Sequence, residues 1–211
     1  MIGLVDYGMG NRRSVEKALQ HVGARTVMSS DPAALRRAGG LVVPGVGAFP
    51  AGIRSLRALG LDEFLHERAT AGVPILGICL GMQLLFDSSE ELGGSDGLGL
   101  IPGRVGALAA DGLSIPHIGW NEVRFRRACP LTAGLPGEGR PFYHVHSFAA
   151  RPQRPEDVIG TCRYGEEFAS IVARDSVFGV QFHPEKSSRD GLAILAAFVG
   201  LAARLPAVSA A

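Results

Sequence analysis

The stretch Gly77-Ile78-Cys79-Leu80-Gly81, set directly behind the apolar run Val73-Pro74-Ile75-Leu76, leaves the backbone very few paths. Such a run reads as a buried strand. Glycines flanking the cysteine tripeptide permit a strand-to-helix turn too sharp for neighbouring Cβ atoms. An elbow of this kind lifts Cys79 clear of a sheet and sets it at the positive end of a helix, where thiolate is favoured over thiol. It also aims the Leu80 N–H at the space beside the sulfur, as one half of an oxyanion hole. The pattern calls for a sheet whose strands feed helices, and it makes Cys79 a candidate nucleophile.

Roughly a hundred residues on, the chain reads Gln181-Phe182-His183-Pro184-Glu185. In an extended segment, residues two apart project to the same side, so Glu185 can orient His183 and stabilise its charged form while Pro184 stiffens the link. On its own, His-Pro-Glu also suits a solvated surface strand. Together with the elbow it completes a Cys79, His183, Glu185 triad for acyl transfer.

Alternation along the first half supports that sheet. Strand-like Ile2 to Val5, a helix near Arg13 to Val22, strand Ala24 to Met28, a short helix capped by Asp31, strand Leu41 to Val43, helical segments between Pro50 and Ala71, strand Pro74 to Ile78 and the helix after the elbow follow one another. This order predicts an α/β fold with a doubly wound, largely parallel sheet flanked by helices. The second half carries short runs, Asn121 to Phe125, Tyr143 to Phe148, Val158 to Arg163, Ala169 to Ala173 and Phe178 to Phe182, which read as mostly antiparallel strands added to that core. Arg189 to Arg204 reads as a closing helix, and the Ala-rich stretch after Pro206 as a frayed tail.

With 211 residues and no Pro/Ser-rich or highly charged divider, the chain reads as a single domain over 1–211. A net charge of +1 and only two lysines, Lys17 and Lys186, leave no basic stripe for nucleic acid. No signal segment or membrane-length apolar run is evident, so no membrane association is expected. Three cysteines without C-x-x-C spacing suggest neither disulfide framework nor zinc site and fit a reducing cytoplasm. Cys129 and Cys162 lack the glycine frame and read as inert thiols. His21, His66, His117, His144 and His146 lack ligand partners at helical spacing and read as surface or satisfied core residues, so no metal or cofactor is expected. In Asp6-Tyr7-Gly8-Met9-Gly10 the third glycine of a dinucleotide loop would fall at Arg13, which rejects a Rossmann site. Pro44-Gly45-Val46-Gly47 suits an ordinary turn, and its glycines also let the peptide between them lie either way up.

These residues resemble the class I, triad-type glutamine amidotransferases, which carry a G-x-C-x-G-x-Q elbow and a late H-P-E over a flavodoxin-like core. Asp6 to Asn11, Pro44 to Gly47, Gly97 to Gly103, Pro116 to Asn121, Tyr143 to Phe148 and Gln181 to Ser187 are similar to the glutaminase subunits of imidazole glycerol phosphate synthases in particular. The resemblance implies one half of a heterodimer in histidine biosynthesis. Glutamine would be hydrolysed here, and ammonia would pass to a (β/α)8-barrel cyclase subunit. It further implies an oxyanion site at Leu80, Val46 and Gly47, glutamine contacts at Gly47, Gln83, Ser147 and Phe148, and a partner face at Asn11, Trp120, Asn121, Tyr143 and Lys186. His144 and Phe148 depart from the usual Y-F-V-H-S-Y pattern. A glutaminase subunit of anthranilate or aminodeoxychorismate synthase is the neighbouring alternative, from which Ala48 and Met82 differ. A partner-binding module without activity and an independent hydrolase are the others.

Overall fold

A computed structural model describes residues 1–204, so the expected frayed tail lies outside the described residues. The chain runs β1 (Ile2–Val5), α1 (Arg12–His21), β2 (Thr26–Ser29), α2 (Pro32–Leu35), β3 (Gly40–Gly45), α3 (Phe49–Ala58), α4 (Leu61–Thr70), β4 (Ile75–Cys79) and α5 (Leu80–Leu84). It continues through β5 (Phe86–Ser89), β6 (Ser95–Asp96), β7 (Ile101–Ala107), β8 (His117–Phe125), β9 (Gly139–His146), β10 (Phe148–Pro152), β11 (Val158–Tyr164), β12 (Glu166–Arg174), β13 (Val177–Val180) and α6 (Ser188–Ala202). The sheet order is β2-β1-β3-β4-β13-β12-β10-β7-β5-β6, with β11, β8 and β9 branching from β12.

The first five strands of that order are parallel neighbours, the flavodoxin-type arrangement. Side chains alternate across them. Ile2, Leu4, Val42, Leu76 and Ile78 pack on one face with Leu19 of α1 and Phe198 of α6. Val5, Leu41, Val43 and Ile75 pack on the other with Ile53 and Leu56 of α3 and Phe64 of α4. Helix α1 earns its place through Val15, Ala18 and Leu19, an i, i+3, i+4 apolar stripe. Asp31 caps α2 as expected, its carboxylate accepting the Ala33 N–H at 2.9 Å with Pro32 behind it. Emptying one core position such as Phe198 to alanine would cost about 3–5 kcal/mol.

Two expectations for the second half need correction. Val177–Val180 is not an antiparallel addition alone: it pairs antiparallel with β12 and parallel with β4, joining the central core. All four residues are buried, as an interior strand covered on both faces requires. The run Tyr143 to Phe148 is two strands, β9 and β10, broken at Ser147. Strands β1, β3, β4 and β13 end at the same edge, so the loops after them meet there.

Candidate active site

The elbow is built as its glycines demand. Cys79 has φ 54° and ψ −111°, a conformation that costs an L residue of order 1–3 kcal/mol and persists only under strong local constraint. A Cβ on Gly77 would lie 2.6 Å from Gly81 O and Met82 N, and one on Gly81 would collide with Val43 O. Helix α5 is a single five-residue turn, however, so the dipole expected to favour thiolate is short. The neighbour that faces the sulfur is His183.

His183 follows β13 and its Nδ1 lies 2.9 Å from Glu185 Oε1. The two side chains are 4 % and 0 % exposed. They are not joined across an extended segment, as the spacing suggests. Pro184–Lys186 is a 3-10 turn with proline at its first position, and that turn folds the carboxylate back onto the imidazole. Burial alone would lower the His183 pKa, but the neighbouring Cys79 sulfur and Glu185 carboxylate outweigh it and raise the value to about 10. Near neutral pH, His183 carries a proton ready for a leaving group.

Ser187, not singled out among the site residues from sequence, locks this turn in place. Its hydroxyl donates to His183 O at 2.7 Å and accepts the Tyr143 N–H at 3.0 Å. The His183 N–H in turn donates to Tyr143 O at 2.9 Å. Asn11, expected on the partner face, is drawn into the triad: its Nδ2 donates to the Glu185 carboxylate. As the residue before α1 it has φ 61°, and its side chain makes no cap to that helix.

The sulfur opens into a cavity of about 250 Å³. Val46, Gly47, Leu80, Gln83, Ser147 and Phe148 line it, which brings together every expected oxyanion and glutamine residue. Gln83 Nε2 donates to Phe148 O at 2.9 Å and to Gln181 Oε1 at 3.0 Å, and Gln181 Nε2 lies 3.8 Å from Cys79 Sγ. Glu91 and His146 also face the cavity. The Glu91 carboxylate accepts the Phe49 N–H at 2.8 Å, at the start of α3. A larger cavity, about 920 Å³, lies beside the end of α6 and contains no triad residue.

The two glycines of Pro44–Gly47 are not equivalent. Gly45 pairs with Cys79 within the sheet, and a Cβ there would strike the Tyr7 hydroxyl. Gly47 lies beyond the strand with φ 129°, open to glycine and strained for other residues. Conformational freedom therefore resides in the Val46–Gly47 peptide.

Trp120, Tyr143 and Lys186 form a patch next to the triad. The Trp120 and Tyr143 rings are 6.3 Å apart and Lys186 Nζ sits 5.9 Å from the Tyr143 ring. Trp120 is 54 % and its neighbour Ile118 59 % exposed, unusual for large apolar side chains so close together. Asn121 is half-buried and its amide is committed inward, donating to Arg163 O at 2.9 Å. Cys129 and Cys162 are buried, and burial raises both thiols, Cys162 to about 12, in keeping with inert roles. His21 and His66 are exposed, while His117, His144 and His146 are buried and hydrogen-bonded. Among the described residues no helix is long and apolar enough to cross a membrane.

Comparisons with known proteins agree with this geometry. Residues 3–200 match the family described as Glutamine amidotransferase class-I. The chain is 51 % identical over 197 residues to the imidazole glycerol phosphate synthase subunit HisH of Moorella thermoacetica, covering 93 % of each chain. It is 47 % identical over 206 residues to the same-named subunit of Geobacillus thermodenitrificans, covering 95 % of this chain and 96 % of that one. A crystal structure of a glutamine amidotransferase superposes with a TM-score of 0.75 at 20 % identity, covering 96 % and 98 % of the two chains, a likeness of fold. With the elbow, the triad and near full-length similarity in agreement, the chain belongs to the class I glutamine amidotransferases, alongside the HisH subunits of imidazole glycerol phosphate synthase.

Proposed function

We propose that this chain hydrolyses glutamine at Cys79 and delivers the ammonia to a (β/α)8-barrel cyclase subunit, which forms imidazole glycerol phosphate and an aminoimidazole carboxamide ribonucleotide. The observation that carries the reading is the His183–Glu185 pair set beside Cys79 at the mouth of a cavity sized for one small amino acid. The Cys79 thiolate attacks the carboxamide carbon, and the oxyanion is held by the Leu80 N–H and by the Val46–Gly47 peptide once its N–H faces the sulfur. His183 gives its proton to the departing nitrogen, leaving a glutamyl thioester and ammonia. A water then attacks the thioester while His183 takes a proton from it, releasing glutamate and restoring the thiolate. Glu185 keeps the imidazole oriented through Nδ1. In the cavity, Glu91 suits the α-ammonium of glutamine, and the backbone at Ser147 and Phe148 suits its remaining polar groups.

The Trp120, Tyr143 and Lys186 patch, with Ile118 beside it, is the docking face for the cyclase. It borders the triad turn, since Lys186 directly follows Glu185 and stacks on Tyr143. Docking there favours the activating orientation of the Val46–Gly47 peptide by binding that state more tightly. A cytoplasmic location accompanies the reading, because three unpaired thiols suit a reducing compartment.

The test is glutaminase activity of the purified chain alone and with a barrel cyclase and its nucleotide ligand. The reading predicts a hundred- to thousandfold stimulation, roughly the worth of one oxyanion donor. No glutamate release from the liganded complex would refute it, and equal rates with and without the partner would refute the gating.

A further inference from the structure

We propose that His117 and His146 are positioning residues for glutamine, the middle links of a one-directional hydrogen-bond chain that runs from Asn121 to the Phe148 carbonyl. The proposal rests on the reading of the cavity beside Cys79 as the glutamine site. His146 Nδ1 lies 2.8 Å from Phe148 O. A carbonyl only accepts, so Nδ1 carries the hydrogen and, in a neutral ring, Nε2 carries a lone pair. That lone pair faces His117 Nδ1 at 3.0 Å, which must donate, leaving His117 Nε2 as acceptor. The Asn121 amide nitrogen, 3.3 Å away, supplies that donor and gives a hydrogen to Arg163 O at 2.9 Å. Its amide oxygen accepts the Glu122 N–H at 2.8 Å, which fixes the amide orientation independently. Every member thus has a single role, and none can reverse without stranding a buried partner.

Strand pairing builds the chain. His117 and His146 lie directly opposite each other in the β8–β9 ladder. His117 is stacked between Tyr164, at 4.1 Å between centroids, and His144, at 5.1 Å. His144 is itself held by Ser170 Oγ and Phe142 O, each at 3.0 Å. Burial lowers the pKa of all three imidazoles, in keeping with neutral rings.

The far end of the chain is what gives it a role in the reaction. Phe148 O accepts from His146 and from Gln83, so two donors hold one peptide of the cavity wall. Ser147 and Phe148 form that wall beside the sulfur. The near end, Asn121, immediately follows the exposed Trp120. The position of the glutamine-binding backbone is therefore tied to strand β8. None of these imidazoles performs the chemistry assigned to Cys79 and His183, so the expected effect falls on glutamine binding.

The experiment measures KM and kcat for glutamine in the assembled synthase at saturating cyclase. His117→Leu and His146→Leu should each raise KM about tenfold, the loss of one well-placed neutral hydrogen bond, with kcat changed less than about threefold. His117→Asn and His146→Asn place an amide N–H₂ near the lost Nδ1 and should return KM to within about threefold of the parent. Alkylation of Cys79 by iodoacetamide, which does not use the glutamine wall, should be alike in all four. Parental KM in the leucine variants would overturn the proposal, as would asparagine variants as impaired as the leucine ones, since packing alone would then explain the effect. If the leucine variants fail to fold, Asn121→Leu breaks the chain at its half-buried head and must raise KM about threefold. A parental synthase that does not hydrolyse glutamine would refute the glutamine reading itself, a separate failure.

Discussion

His183 and His146 are both buried, and both face residues of the cavity beside Cys79, yet their protons are held in opposite ways. His183 sits beside a sulfur and a carboxylate, and its pKa rises to about 10. His146 faces a carbonyl and two other imidazoles, and its pKa falls to about 4, with burial the leading cause. Burial penalises the charged ring in both places, so the difference comes from the neighbours. The sulfur and the carboxylate beside His183 make its proton a charge that can be delivered. The Phe148 carbonyl accepting at Nδ1 and His117 donating to Nε2 make the His146 proton a fixed strut. One region does chemistry and the other holds a wall, with the same side chain.

Breaking the first region should have the larger effect. His183→Asn removes the proton carrier while leaving a polar group of similar reach, and glutamine turnover should fall about a hundred- to ten-thousandfold with the fold intact. Single-turnover glutamate release checks this, and a variant with parental turnover would place the acid elsewhere.

Stability against pH sharpens the contrast. His146 has a folded value below its unfolded one, so between about pH 6.5 and about 4 the unfolded chain takes up a proton that the folded chain refuses. That costs up to about 1.4 kcal/mol per pH unit as pH falls, and His144 adds loss in the same direction. His183 has a raised folded value. Its contribution is fully present below about pH 6.5 and is lost as pH rises through about 10. Urea midpoints from pH 5 to 10 should decline at both ends, with His146→Asn flattening the acid limb and His183→Asn the alkaline one. A limb that stays steep in its own variant would assign that slope to other groups.

The smallest effect on the glutamine site itself belongs to the outer patch. Trp120→Ala or Lys186→Glu should weaken affinity for the cyclase about tenfold, about 1.4 kcal/mol, while labelling of Cys79 by a glutamine-mimicking electrophile in the free chain stays within about twofold. Unchanged affinity and unchanged stimulation in both variants would remove these positions from the interface.

Short-range constraints made the elbow legible. Gly77 and Gly81 announce a turn that no other residue fits, and the collisions a Cβ would meet there are why. The parallel core was readable from the strand and helix alternation up to β4. The place of β13 was not, because an apolar run does not reveal which strand it will lie beside. Its unbroken Val177–Val180 pattern is the signal that could have marked an interior parallel strand. Strand β7 escaped because Pro102 and Gly103 interrupt it. The triad carboxylate was found from the right residues for an inexact reason, since a 3-10 turn, not an extended segment, brings Glu185 to His183. The histidine chain was hidden by distance: residues 117 and 146 meet only through the β8–β9 pairing, although the His144-x-His146 alternation already set two imidazoles on one face.

The most direct test is Cys79→Ala in the assembled synthase, assayed once with glutamine and once with ammonium salt as the nitrogen source. The substitution removes only a sulfur, so the complex should form as the parent does. Glutamine-driven glutamate release and glutamine-driven cyclisation should both vanish while ammonia-driven cyclisation continues at the parental rate. Glutamate release at the parental rate from the purified variant would contradict the account.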